Sequence, residues 1–119
     1  MAWETFSKSE RRPIGVDPPP QVTIRPYGYL GLNRGAREAL GKPARVRFLW
    51  NPQTRVVGLK PVKVTDQQGY KVQWSTYSGT VGAPGFFRHY GLLYKWDSAQ
   101  IRPAKMVRGI LTFPVDDPT

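Results

Sequence analysis

The sequence predicts a mainly β protein: a small β-barrel-like domain of two similar β-hairpin units with short inserted helices, internally duplicated. Three observations carry this prediction. Apolar residues recur with a period of two through most of the chain, the mark of half-buried strands. An echo joins the two halves: Gly28-Tyr29-Leu30-Gly31, followed by a short helical segment that carries Arg37 and ends at Gly41, returns as Gly79-Thr80-Val81-Gly82, followed by Arg88 and Gly91. Pro61-Val62 likewise returns as Pro114-Val115. Such self-similarity bears on the fold more than any local pattern does. Finally, 119 residues with 39% hydrophobic and 13% aromatic content, four Trp among them, suffice for one core and do not describe a disordered chain.

Residues 1–20 form a Pro-rich arm ending in Val16-Asp17-Pro18-Pro19-Pro20, where three prolines favour a stiff, extended segment. Residues 21–115 form a single β-rich domain with pseudo-repeats 21–62 and 70–115, and residues 116–119 are an acidic tail. Gln21-Val22-Thr23-Ile24-Arg25 alternates as a strand, with Val22 and Ile24 on one face and Thr23 and Arg25 on the other. A two-turn helix is expected over Arg34–Leu40, with Asn33 as N-cap and Gly41 as its stop. Residues 45–60 read as a hairpin. Its first strand directs Val46, Phe48 and Trp50 one way and Arg45 and Arg47 the other, Asn51-Pro52-Gln53-Thr54 supplies the turn, and Arg55–Lys60 returns.

After a linker at 64–69, the second unit repeats this order. Tyr70–Trp74 alternates, Gly79–Gly82 is short and extended, and Pro84 suits the first turn of a helix reaching about Tyr90, with Gly91 as its stop. Strands near Ala99–Ile101 and over Val107–Phe113 close the unit.

Charge is the second strong signal. The formal net charge is +10, and residues 21–113 hold 15 of the 18 Lys/Arg against only Glu38, Asp66 and Asp97. The positive field therefore belongs to the folded body. A basic folded surface favours a polyanion, since neutralising phosphates releases condensed counterions. Solubility, an acidic protein or an anionic lipid surface are the competing uses of the same charge.

The segments Val22-Thr23-Ile24, Gly28-Tyr29-Leu30-Gly31-Leu32, Ala36-Arg37-Glu38-Ala39-Leu40-Gly41, Val46-Arg47-Phe48-Leu49 and Val56-Val57-Gly58-Leu59-Lys60-Pro61 resemble the swapped-hairpin domain of AbrB-like transition-state regulators and related antitoxins. The resemblance spans residues 22–61, with a degenerate second copy at 70–115. It departs at Tyr29 and Asn33, where the family usually has Arg and Pro. It implies a small DNA-binding barrel formed by two interleaved units, usually as a dimer; here one chain would supply both halves. The expected state is thus a monomer with a pseudo-two-fold axis, or a homodimer.

The nucleic-acid-binding candidates are Arg25, Arg45 and Arg47 on polar strand faces, Arg34 and Arg37 on the first helix, Arg88 and His89 on the second, and Arg55 at the hairpin tip. Double-stranded DNA is favoured over RNA, with transcription regulation as the role. Tyr27, Tyr29, Tyr77, Phe86, Phe87, Tyr90, Tyr94 and Trp96 supply a competing single-strand or RNA reading, because bases stack on aromatic rings in a positive groove. Small β proteins also spend aromatics on their cores, the reading favoured for Phe86, Phe87 and Trp50. A further alternative is a protein-interaction module, an antitoxin or phage-associated adaptor that grips an acidic partner through Trp3 and Phe6.

Enzymatic chemistry is not expected. His89 is the single histidine, cysteine is absent, and the body acids are scattered, so neither a metal site nor a nucleophile motif is in view. No cofactor is expected. The absence of an apolar run of ~18 residues and of a leader pattern predicts a cytoplasmic protein without a membrane span.

Overall fold

The computed structural model describes residues 18–92 and 98–116. Nine strands and two short helices follow one another as β1 (Gln21–Arg25), β2 (Tyr29–Leu32), α1 (Arg34–Leu40), β3 (Arg45–Asn51), β4 (Val56–Val62), β5 (Tyr70–Trp74), β6 (Gly79–Gly82), α2 (Pro84–His89), β7 (Gln100–Pro103), β8 (Lys105–Val107) and β9 (Ile110–Pro114). The strands pair antiparallel in the order β7-β1-β2-β6-β5-β3-β4-β9-β8. Pro103 ends β7 and Lys105 begins β8, so only about 7 Å of chain separates the first strand of this order from the last. The sheet must therefore curl on itself, and it forms a nearly closed barrel.

Alternation explains what the barrel encloses. The register sets Val22 opposite Leu32 and Ile24 opposite Leu30, then Leu30 opposite Val81 and Val81 opposite Val72. These residues, with Val46, Val57, Leu59, Phe87, Leu111 and Phe113, are buried and form the core. Trp74 points inward and lies over Gly79, while its indole Nε1 donates to the Pro43 carbonyl at 2.7 Å. No described helix is long and apolar enough to cross a membrane.

The helices begin and end as their sequences require. Asn33 Oδ1 caps α1 by accepting from the Ala36 N–H at 2.9 Å, and it also accepts from the Gln21 N–H, which locks the helix start to β1. At the C-termini the same hydrogen bonds appear twice. Lys42 N donates to Arg37 O and Gly41 N to Glu38 O; in α2, Leu92 N donates to Phe87 O and Gly91 N to Arg88 O. Gly41 and Gly91 both have the positive φ that this cap needs.

The two halves also exchange strands. β3 pairs with β5 and β7 with β1, so that Val46 faces Tyr70 and Arg102 faces Val22. The correspondence breaks after the third strand of each half. β3 and β4 make a long hairpin, turned by Asn51 Oδ1 accepting from the Gln53 and Thr54 N–H groups, whereas β8 intervenes between β7 and β9.

One expectation requires correction, and the structure adds one placement that alternation leaves open. Val107–Phe113 is not one strand: Arg108 and Gly109 have φ of 52° and 81°, the paired left-handed geometry of a two-residue hairpin turn, and they divide the segment into β8 and β9. In β7 the apolar residue faces out and the charged one in, with Ile101 62% exposed and Arg102 5% exposed. Arg102 is fixed by its place opposite Val22. Its Nε and Nη2 reach across the seam to the Val115 carbonyl, both at 3.3 Å, and its Nη1 donates to the Ile101 carbonyl.

A Cβ at position 79 would stand 2.3 Å from the Trp74 ring. Gly79→Ala should therefore displace the indole, lower stability by about 1–3 kcal/mol and shift tryptophan emission, as thermal melts followed by fluorescence would report.

Candidate nucleic-acid interface

The arginines expected to touch nucleic acid fall into two groups. Arg37, Arg45, Arg47 and Arg55 hold the fold together. Arg37 is 9% exposed; its guanidinium donates to the Ser75 and Thr76 carbonyls and to Glu38 Oε1, tying α1 to the β5–β6 loop. Arg45 and Arg47 stand on the outward face of β3, as their alternation requires, and both turn to the β4–β5 loop. Arg45 Nη1 donates to the Gly69 and Asp66 carbonyls, while Arg47 makes a two-pronged ion pair with the Asp66 carboxylate at 2.9 and 3.1 Å. Arg55 at the hairpin tip is drawn back, with its Nε 2.7 Å from Asp116 and its guanidinium over the Trp50 ring.

Electrostatics follow from these pairs. The hydrogen bond from Arg47 holds the Asp66 carboxyl below its ordinary value, and the same bond raises the Arg47 guanidinium. Arg37 likewise lowers Glu38. All three described carboxylates, Glu38, Asp66 and Asp116, are thus engaged by arginine.

The second group faces solvent. Arg88 and His89 are exposed on α2, with the His89 ring edge-on to Tyr90 at 4.7 Å. They do not mirror Arg34 and Arg37, because the matching caps align Phe87 with Arg37 and Arg88 with Glu38. Arg34 is exposed at the start of α1, its guanidinium 5.9 Å from the centre of the Tyr77 ring. Arg25 is exposed on β1 and lies across Gly31 of the neighbouring strand.

The aromatics divide in the same manner. Phe48 gathers Tyr70, Phe86 and Phe87 at ring separations of 5.0, 5.1 and 6.1 Å, and Trp50 meets Tyr90, so α2 is fastened to β3 by rings. Tyr27, Tyr29 and Tyr77 instead remain 76%, 45% and 66% exposed. Trp3, Phe6, Tyr94 and Trp96 lie outside the described residues.

Sequence reasoning missed Arg102, the most buried described arginine, for a plain reason: period-two alternation places Ile101 or Arg102 inward equally well, and only the ladder with β1 decides. Among the described residues, no three His, Cys, Asp or Glu side chains come together as a metal site. No family model matches the chain, and no curated protein or solved structure matches it either.

Two outcomes follow. Asp66 binds fewer protons folded than unfolded, so its contribution is complete above the ordinary carboxylate value of 3.8 and is lost as pH falls through its lower folded value. Acid unfolding of Asp66→Asn should lack that component when compared with the parent chain. Arg37→Ala leaves two backbone carbonyls without their donor and should cost about 1–3 kcal/mol in a denaturant melt.

Proposed function

We propose that this chain is a non-enzymatic nucleic-acid-binding protein that works from the outer surface of its barrel. One observation carries the reading. The described residues contain fourteen Lys/Arg and three carboxylates, a balance of +11, and every one of those carboxylates is engaged by an arginine. The exposed Arg25, Lys42, Lys60, Lys63, Lys71 and Arg88 therefore face solvent over a surface whose described carboxylates are each held by an arginine. Such a field concentrates a polyanion at the surface.

The repeated strand–strand–helix–strand order supports reading the two halves as a duplicated pair, in the role that a second copy plays in AbrB-like dimers. In this reading the arginines that clasp loops act indirectly, and phosphates are met by the solvent-facing cations. Contacts of that kind position a nucleic acid without reading its sequence.

Anisotropy of a fluorescent oligonucleotide titrated with the full chain tests the proposal. Binding should be present at low ionic strength, and log affinity should fall linearly with log salt, by roughly 0.7–0.9 per phosphate contact. Lys60→Glu with Lys71→Glu, both exposed outer-face changes, should weaken binding and flatten that slope. Absence of binding to every nucleic acid at low salt would remove the reading.

A further inference from the structure

We propose that the outer face of β1, β2 and β6 is a stacking platform for single-stranded nucleic acid, a reading that rests on the nucleic-acid proposal above. The register lays out this face row by row. Thr23, Gly31, Thr80 and Gln73 stand side by side across β1, β2, β6 and β5; the next row is Arg25, Tyr29 and Gly82. Alternation sends the side chains of both rows outward, because Ile24, Leu30 and Val81 between them are buried.

Two glycines make the face flat. A Cβ on Gly82 would stand 2.5 Å from Cε1 of Tyr29, and one on Gly31 would stand 3.0 Å from Nη2 of Arg25. Tyr29 therefore lies over bare backbone, with one side of its ring on the sheet and the remainder open. Arg25 lies down beside it across Gly31. The result is a level aromatic and cationic surface, with the Thr23 and Thr80 hydroxyls beside them.

Further tyrosines mark both ends of the face. At the β1–β2 turn, Tyr27 is 76% exposed and has a φ of 67°, a left-handed conformation uncommon for an aromatic residue. Strain of this kind persists where the surrounding structure imposes it, and it collects at ligand-contacting sites. At the opposite end Tyr77 is 66% exposed beside Arg34. All three rings keep a large open surface.

A duplex hides the faces of its bases inside the stack, whereas an unpaired strand offers them. Flat aromatics beside cations on a sheet therefore suit a single strand, which gains from stacking at every base type and needs no sequence readout. DNA and RNA share this chemistry.

The test uses the full chain with three fluorescent probes: a short oligo-dT, an oligo-rU of equal length, and a self-complementary hairpin duplex. Single strands should bind about tenfold or more tightly than the duplex at equal salt, and the dT and rU arms report which sugar is preferred. Tyr29→Ala should weaken single-strand binding by roughly five- to a hundredfold, the cost of one lost stack, and leave duplex binding unchanged. Tyr29→Phe keeps the ring and should restore affinity. Tyr27→Ala, at an exposed turn, gives a second variant whose folding does not depend on the sheet face. Equal binding of duplex and single strand, untouched by Tyr29→Ala and Tyr27→Ala, would overturn the platform while leaving the nucleic-acid reading in place. Failure of all three probes to bind at low salt would overturn both.

Discussion

Ala104 is the residue on which the architecture turns. Between Pro103 and Lys105 the chain leaves the strand at one end of the sheet order and enters the strand at the other, so the sheet has to be wound into a barrel for the covalent chain to connect. The Ala104 N–H is itself bound to the Pro20 carbonyl, which holds this crossing to the start of β1. Winding places one side of the strands in the interior, except in β8, whose three residues are all exposed. Leu30, Val81 and Ile24 are buried because they are on that side, and Tyr29, Thr80 and Arg25 beside them are exposed because they point outward. The seam where no ladder closes, between β7 and β9, receives Arg102. A guanidinium there costs desolvation, which its bonds to the Val115 and Ile101 carbonyls offset, and those bonds span a gap that backbone pairing leaves open.

Arginine thereby serves two separate ends in one small domain. Arg37, Arg45 and Arg102 donate to loop or strand carbonyls, while Arg47 and Arg55 hold carboxylates at loop ends. A planar fork with several donors suits this work, since one side chain can satisfy two or three acceptors in a loop with no ladder of its own. Because arginines engage all three described carboxylates, Arg25, Lys42, Lys60, Lys63, Lys71 and Arg88 stand exposed on a described surface that stays strongly positive. Structural clasping and surface charge are thus linked: the more completely the loops are tied down, the less screened the outside becomes.

Much of this was legible in the sequence where a local signal was unambiguous. The Asn33 cap, the Arg34–Leu40 helix and its Gly41 stop agree with the reading, as do the alternations of β1, β3 and β5. What failed depended on distant partners. The Arg108-Gly109 turn is a local exception: a non-glycine and a glycine in left-handed geometry interrupt Val107–Phe113, which alternation alone reads as one strand. The facing of Ile101 and Arg102 is settled by a strand about eighty residues earlier. The same holds for the candidate interface. Strand parity placed Arg25, Arg45 and Arg47 on outward faces, yet whether an outward arginine meets solvent or a loop depends on where the 63–69 loop folds, and no periodicity encodes that.

Parity alone also fails to foresee the flat face, although every residue in it follows the rule. Along β2 the inward positions are Leu30 and Leu32, large because they fill the barrel, while the outward positions are Tyr29 and Gly31. Along β6 the inward Val81 is flanked by the outward Thr80 and Gly82. The core requires bulk on one side of these strands and makes no demand on the other, so a glycine between exposed residues cannot be explained by packing inside. Gly31 and Gly82 are diagonal neighbours on the outside, and each is covered by a longer side chain of the adjacent strand. Any larger residue at either position would lift the covering group away from the sheet. Smallness there is therefore a property of the surface, and it keeps Arg25 and Tyr29 lying flat where an incoming ligand would meet them.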